Sequence, residues 1–576
     1  MRIIGIHDGH NAAACLFEDG CVRAALQEER LTRIKNHDTF PARAIAWLIE
    51  QAGCDWPGID AVALNGYHQP VHHDRAEAIE AVRRGGSRRP DLLVRRLARS
   101  TPLLRLWRAR HWHRRRAEAV QAGIDPARLV LIEHHRAHAE AAYWGSPFRG
   151  EPVLVLTADG AGDDLCATVN RVDEAGRIDR LASVGESHST ALVYLTVTTL
   201  LGMVPNEHEY KVMGLAPYAP SRGAERVASI FDRLFEWHPD QPLGWRRRYG
   251  VPAAYDLYPY LRRKLELLRF DAICGGLQLW LERMTAEWVR RAVKVTGLRK
   301  VALAGGLFMN VKVNQVIAEL TEIQDLFVFP SCGDESNAVG AAYALYSRLA
   351  LGQAPPPEPM GSLYLGPEAD ESAITSALHA AAHRHGTRLK WHRPEDIVEY
   401  AARQLAAGRV VARFAGRTEF GARALGNRSI LADPSRPDLI RRINEMIKSR
   451  DFWMPFACSI LAEHASDYLI NPKHLGAPYM ILTFPTTERR TQIQAGTHPY
   501  DHTSRPQILD RAMNPEYHRL ICCFRDRTGI GALLNTSLNL HGYPMVNSPE
   551  DAVGVICDSG LDCMMLGPYW VEKDAA

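Results

Sequence analysis

The stretch Leu129-Val-Leu-Ile-Glu-His-His-Arg-Ala-His-Ala-Glu-Ala-Ala-Tyr143 opens on four aliphatic residues and passes into an alanine-rich run that begins near the histidines. A short apolar segment reads as a buried strand, and the alanines after it favour a helix; a strand feeding a helix is the repeating unit of α/β architecture. Four-residue spacing puts His134 and His138 on one helical face, where two imidazoles can hold one divalent ion. The same spacing also serves simply to cap or pack a helix, so the pair needs partners to mean more.

Outward from this stretch, Val153-Leu-Val-Leu156, Val301-Ala-Leu-Ala304 and Leu326-Phe-Val-Phe329 are further buried-strand candidates, each ending in a small or acidic turn. Two carboxylates fall at such ends: Asp159 in Thr157-Ala-Asp-Gly-Ala-Gly162, and Asp334 in Pro330-Ser-Cys-Gly-Asp-Glu-Ser-Asn337. Strand ends of one parallel sheet converge on one crevice, which makes His134, His138, Asp159 and Asp334 a coherent ligand set. Mixed imidazole and carboxylate donors suit iron(II), zinc or manganese better than calcium. Glycines let backbone amides approach phosphate, and both Gly160 and the Gly305-Gly306-Leu-Phe-Met-Asn310 turn follow strands in that manner. Each turn alone is a weak signal; beside a metal they point to a nucleoside triphosphate. Ile3-Ile-Gly-Ile-His-Asp-Gly-His10-Asn-Ala-Ala-Ala14, followed by the turn at Glu18-Asp-Gly20, reads as a hairpin of the kind that opens actin-like ATPase folds.

The chain of 576 residues, 46% hydrophobic and 23% charged, is long enough for two to four domains. Its 69 basic and 66 acidic side chains nearly cancel, so no global field points to nucleic acid or an anionic membrane. Met1 leads directly into an apolar strand, with no room for a secretory leader, and the eleven cysteines form no Cys-x-x-Cys pair; a cytoplasmic protein with reduced thiols is expected. No apolar run approaches the roughly 20 residues that span a bilayer.

The clearest boundary is Gly352-Gln-Ala-Pro-Pro-Pro-Glu-Pro359, because successive prolines continue neither a helix nor a central strand. The chain is therefore divided near residue 360, into domains at 1–355 and 366–576, the second opening with a helix over Glu395–Ala407 and a strand over Val410–Phe414. The segment 83–116 carries thirteen arginines against the single acid Asp91 and looks inserted. It reads as a solvated amphipathic hairpin or as a docking element for a membrane surface, an anionic acceptor or a partner. No internal repeat is legible.

The strings Glu28-Glu-Arg-Leu-Thr-Arg-Ile-Lys35, His134-His-Arg-Ala-His138, Glu209-Tyr-Lys-Val-Met-Gly-Leu-Ala-Pro217, Gly305-Gly-Leu-Phe-Met-Asn310, Phe420-Gly-Ala-Arg-Ala-Leu-Gly426 and Leu534-Asn-Thr-Ser-Leu-Asn539 occur in this order. With them the chain resembles, over nearly its whole length, the O-carbamoyltransferases that include the nodulation-factor, cephamycin and tobramycin enzymes. The resemblance implies an N-terminal actin-like ATPase (ASKHA) domain, similar to the threonylcarbamoyl-transferring protein of tRNA modification. It also implies a C-terminal α/β YrdC-like domain, similar to that protein's adenylate-forming partner. Carbamoyl phosphate and ATP would give carbamoyl adenylate in the second domain, and an acceptor hydroxyl of a natural product or glycan would attack it at the first domain's metal, iron(II) foremost, with magnesium accompanying ATP.

By the same resemblance, Lys211, Gly305, Gly306 and Asn310 lie near the adenylate, and His10 and Lys35 lie close to the transfer centre. His10 or His135 would take the acceptor's proton. Arg423, Lys448 and Arg505 would bind phosphate oxygens, with Asn535, Ser537 and Asn539 adding hydrogen bonds. The chain departs from some relatives at Met454, where they carry arginine, at Cys458, where they carry proline, and at Tyr543, where glutamate is usual; one phosphate contact is then either absent or supplied by Arg450. A kinase, an ATPase or a tRNA-modifying protein on the actin-like fold is the competing reading, and the C-terminal strings argue against it. The hydrogenase-maturation relative also carries an acylphosphatase-like domain and cysteine-paired zinc modules, neither visible here. A homodimer is expected, and the acceptor stays open.

Overall fold

The computed structural model describes residues 1–68, 75–85, 113, 115–350, 355–384, 389–451 and 453–574. Most of the arginine-rich segment at 83–116 lies outside them. The chain forms two compact units: Met1–Glu28 with His37–Met360, and Glu29–Asn36 with Gly361–Ala576.

The first unit contains two five-stranded sheets. In one, β1 (Arg2–His7), β2 (Ala13–Glu18) and β3 (Cys21–Gln27) form an antiparallel meander, and β4 (Ala61–Asn65) and β5 (Leu129–Ile132) add in parallel beyond β1, giving the order β3-β2-β1-β4-β5. In the other, β6 (Val153–Gly162), β7 (Leu165–Val172) and β8 (Ile178–Gly185) meander before the small hairpin of β9 (Phe235–Trp237) and β10 (Trp245–Arg247). Then β11 (Lys300–Ala304) and β12 (Asp325–Val328) extend the second sheet in parallel from β6, in the order β12-β11-β6-β7-β8. The two sheets follow one path, so the unit is a duplication that the sequence does not reveal. A sheet repeats through its pattern of buried residues, and Ile3 and Ile4 serve in β1 as Leu154 and Val155 serve in β6, all at 0% exposure.

Register aligns the copies. Ile6 is the last parallel partner of β4 and Thr157 the last of β11, so Asp8-Gly9 and Asp159-Gly160, two residues further on, occupy equivalent places. The helix Ser336–Leu349 approaches backbone to backbone at two points: a β-carbon at Gly340 would overlap the Ala137 carbonyl of the helix His134–Trp144, and one at Gly5 in β1 would overlap the Ala338 carbonyl. Gly340→Ala must push the two helices apart. A cost of about 1–3 kcal/mol is expected, read as a fall of several degrees in the melting midpoint; an unchanged melt would show that the packing yields freely.

In the second unit the strands are β13 (Leu389–His392), β14 (Val411–Phe414), β15 (Arg428–Ala432), β16 (Ala457–Leu461), β17 (Phe484–Pro485), β18 (Thr503–Ser504), β19 (Gln507–Leu509), β20 (Ala532–Ser537), β21 (Cys563–Leu566) and β22 (Tyr569–Lys573). Eight of them make one mixed sheet, ordered β13-β22-β21-β14-β15-β20-β16-β19, while β17 and β18 pair separately. The helix expected at Glu395–Ala407 spans Ile397–Ala406, capped by Asp396, whose carboxylate accepts from the N–H groups of Val398 and Glu399.

Residues 29–36, expected in the first domain, belong to the second unit, and two arginines explain why. The buried Arg30 donates to Glu29 Oε1 at 2.5 Å and to the Gly421 carbonyl at 2.6 Å. Arg33 donates to the carbonyls of Met545 at 2.6 Å and Pro544 at 3.0 Å. Among the described residues no helix is long and apolar enough to cross a membrane.

Candidate functional site

The helix His134–Trp144 begins where β5 ends, and its first turn is held by two carboxylates. Glu133 accepts from the N–H groups of His135 at 3.1 Å and Arg136 at 2.7 Å, and Asp163 accepts from that of His134 at 2.8 Å. Asp163 also accepts from the amides of Tyr67 and His68. Gly162 leaves room for the His134 ring, which a β-carbon there would overlap. With the helix fixed, His134 Nε2 and His138 Nε2 each stand 3.2 Å from Asp159 Oδ2, and 3.6 Å and 3.5 Å from Asp334 Oδ1. One ligand atom from each of the four residues lies within 4.8 Å of the other three.

Asp334 Oδ1 is buried without a hydrogen-bond partner. Burial works against charge on His134, but Asp334 and Asp159 outweigh it and hold its pKa up at about 9. The same opposition raises His138. Asp159 is buried too, yet its bonds to the two histidines hold it well below the usual carboxylate range, while burial and the Asp159 charge push Asp334 up.

The glycine turns meet this centre. Gly305, at φ +109°, donates its N–H to the Cys332 carbonyl at 2.9 Å and leaves no room for a side chain against the Ala158 backbone. A β-carbon on Gly306 would stand 2.9 Å from Asp159 Oδ1, and Gly160 donates its N–H to that oxygen at 2.6 Å. Asn310 caps the helix Val311–Glu319 and exchanges two hydrogen bonds with Gln278, at 2.9 and 3.1 Å. Lys211 lies on the helix Glu209–Leu215, which packs on the helix Phe270–Thr296 that carries Gln278.

The second unit holds a cluster of cations. Arg423 sits on the loop from β14 to β15, which the buried Glu419 folds by accepting the N–H groups of Leu425, Asn427 and Arg428 at 2.8, 2.9 and 3.1 Å. Asn535 ties the loop down through the Ala424 carbonyl at 3.2 Å. Lys448 is 3% exposed, and its ammonium donates to the Ser537 carbonyl at 2.5 Å and to Asn539 Oδ1 at 2.7 Å. Burial, then Arg450 and Lys35, push its pKa well down. Burial, then Arg423 and Arg450, do the same to Arg505, and among the described residues no carboxylate pairs with it. Cations fixed close together make a receptor for phosphate oxygens.

Residues 2–343 match the family described as Carbamoyltransferase N-terminus, and residues 402–573 the one described as Carbamoyltransferase C-terminus. The chain belongs to the carbamoyltransferase family. The carbamoyltransferase is 34% identical over 585 residues to nodulation protein NolNO of Sinorhizobium fredii (strain NBRC 101917 / NGR234), covering 98% of this chain and 79% of that one. It is 32% identical over 273 residues to the 3'-hydroxymethylcephem-O-carbamoyltransferase of Amycolatopsis lactamdurans, covering 47% of this chain and 48% of that one.

Not every residue singled out from the sequence of this transferase meets a centre. His134, His138, Asp159 and Asp334 come together, and Gly160 and Gly306 touch them. His135 is fully buried, with Nδ1 2.8 Å from Thr157 Oγ1. His10 is partly exposed, and its carbonyl accepts from His7 Nε2 at 3.1 Å. Lys35, expected beside the transfer centre, falls in the second unit near Lys448. Arg450 joins the cation cluster while Met454 is buried, Cys458 lies at 0% exposure under Gly496, and Tyr543 is exposed with its carbonyl accepting from Asn539.

Sequence reading missed three groups. His7 Nε2 lies 4.0 Å from Asp334 Oδ2, with Nδ1 bound by Asn65 Nδ2 at 3.0 Å. The fully buried Arg115 donates to Asp8 Oδ1 at 2.6 Å and to the Asn65 carbonyl at 2.6 Å. Glu419 is the third. The repeated Asp-Gly after two apolar strands was the available signal for the first two; nothing local marks Glu419.

Proposed function

We propose that this carbamoyltransferase is an ATP-dependent O-carbamoyltransferase, with an actin-like ATPase domain first and a YrdC-like domain second. In the second unit, carbamoyl phosphate and ATP, with one water, yield carbamoyl adenylate, pyrophosphate and phosphate; in the first unit the carbamoyl group passes to an acceptor hydroxyl and AMP leaves. The observation that carries this reading is the gathering of Lys35, Arg423, Lys448, Arg450 and Arg505 in one unit, while two imidazoles and two carboxylates converge in the other. The duplicated strand order supports the actin-like reading, and the cephem relative's name supports a hydroxyl acceptor, here a natural product or glycan.

The four donors fit a divalent ion: nitrogen and oxygen ligands suit iron(II), zinc or manganese, and the unpartnered Asp334 Oδ1 has the environment of a ligand. Such an ion supplies positive charge to the adenylate phosphate as AMP departs. Gly160, Gly305 and Gly306 leave space for that phosphate, and Gln278 holds the Asn310 amide in one orientation. His10, partly exposed, takes the acceptor's proton; His135 is walled in and engaged by Thr157.

With His134 protonated up to about 9 in the metal-free protein, metal uptake must release a proton. The proton competes with the metal below that pH, so affinity is expected to climb as pH rises and to level near 9. Metal titrations across pH 6–9 in several buffers check this, and a flat dependence would refute it. The test of function is AMP formation from ATP by purified protein with iron(II), with and without carbamoyl phosphate. Carbamoyl-phosphate-dependent AMP supports the reading; ADP, or turnover indifferent to carbamoyl phosphate, returns the chain to the kinase and ATPase alternatives.

A further inference from the structure

A second constellation of metal-ligand chemistry lies in the second unit, among residues that the reaction does not use. His518 and Cys522 are four apart on the helix Pro515–Thr528 and so share a face, and Glu463, on the short turn Ala462–His464, reaches the same spot from 55 residues earlier in the chain. Cys522 Sγ stands 3.6 Å from His518 Nδ1, and Glu463 Oε1 and Oε2 stand 3.1 and 3.3 Å from His518 Nε2. One ligand atom from each residue lies within 4.8 Å of the other two, and this is the one such group among the described residues that includes a thiol.

We propose that Glu463, His518 and Cys522 form a second transition-metal site, of the zinc class, that pins the helix Pro515–Thr528 to the turn before it. The thiol faces Nδ1 and Glu463 faces Nε2, and one ion takes only one of these nitrogens, so binding turns the exposed Glu463 carboxylate toward the Nδ1 side, where zinc–nitrogen and zinc–sulfur bonds of roughly 2.0 and 2.3 Å suit the 3.6 Å separation of Nδ1 and Sγ. The donor set of one thiolate, one imidazole and one carboxylate selects zinc or cobalt(II) over magnesium or calcium. His518 is 12% exposed and Glu463 47%, so the ion is reachable from solvent, and water completes its coordination. The neighbouring His464 is engaged by Asp467 at 2.9 Å and Arg525 at 3.3 Å, and is not a ligand. Binding releases the Cys522 thiol proton to solvent; burial pushes the free thiol's pKa up and Arg525 offsets this only in part, so the metal's own charge must stabilise the thiolate.

Cobalt(II) titrated into the metal-free full chain under reducing conditions tests the site without reference to the reaction. The four donors of the first unit contain no sulfur, so a thiolate-to-cobalt charge-transfer band reports on this cluster alone. One band-forming equivalent is expected in the wild type, lost in Cys522→Ser, weakened about tenfold or more in affinity in His518→Gln, and retained in Cys523→Ser and in His138→Ala. Zinc should also raise the melting midpoint of the wild type more than that of Cys522→Ser, because binding favours the native state. No band in the wild type, or a band that survives Cys522→Ser or disappears in Cys523→Ser, overturns the proposal.

Discussion

Replacing His138 by alanine is expected to slow AMP release from the carbamoyl adenylate about a thousandfold while carbamoyl-phosphate-dependent pyrophosphate formation continues. His138 is fully buried, and its Nε2 faces Asp159 Oδ2 at 3.2 Å and Asp334 Oδ1 at 3.5 Å. Its removal leaves two buried carboxylates short of one cationic or metal-binding partner. Breaking such a buried arrangement costs about 3–5 kcal/mol, which as transition-state stabilisation is roughly two to four powers of ten in rate. On the proposed division of labour, pyrophosphate formation draws on the other unit, whose cations do not include His138. A pyrophosphate burst without AMP in the variant, against both products in the wild type, is the expected pattern. Loss of both products together would sink the division of labour between the units, and retention of both would remove the first unit's donors from the chemistry.

Arg505→Gln is expected to lower the efficiency of adenylate formation about a hundredfold or more and, at the same time, to raise the melting midpoint by roughly a few degrees. Burial and the charges of Arg423 and Arg450 already oppose the charge on Arg505, and among the described residues no carboxylate pairs with Arg505. Glutamine removes that repulsion from the free protein, and it removes a charge-assisted contact from the phosphate-bound one, worth about 1.5–3 kcal/mol or more where several cations act together. A function–stability opposition of this kind marks a residue kept for its ligand. The measurement pairs steady-state pyrophosphate release, with carbamoyl phosphate varied, with a thermal melt of the ligand-free variant. A variant that loses stability along with activity would make Arg505 a structural arginine.

Much of this was legible along the chain because the signals are local. Four-residue spacing alone puts His134 and His138 on one face, successive prolines alone end the first unit near residue 360, and aliphatic runs such as Val153–Leu156 alone mark strands. Local signals do not say which distant segments meet. The duplicated sheet order rests on pairings between β1 and β4 and between β6 and β11, whose residues share an exposure pattern and little identity. Lys35 lies eight residues after the end of a first-unit strand, and the carbonyls that Arg30 and Arg33 find more than 390 residues later fix its segment to the second unit.

By itself, then, the sequence determined the alternation of strands and helices and the break near residue 360, and it supplied the side chains proposed to bind metal and phosphate. Only the tertiary structure decided that Asp159 and Asp334 close on the histidine pair, that His7 and Arg115 stand behind them, that Glu419 shapes the loop bearing Arg423, and that Arg450 joins Arg505. The physical reason is range. Periodicity and turn chemistry act over a few residues and are written in their order, whereas a ligand set is assembled by strand pairing and burial across hundreds of residues, where many sequences satisfy the same contact.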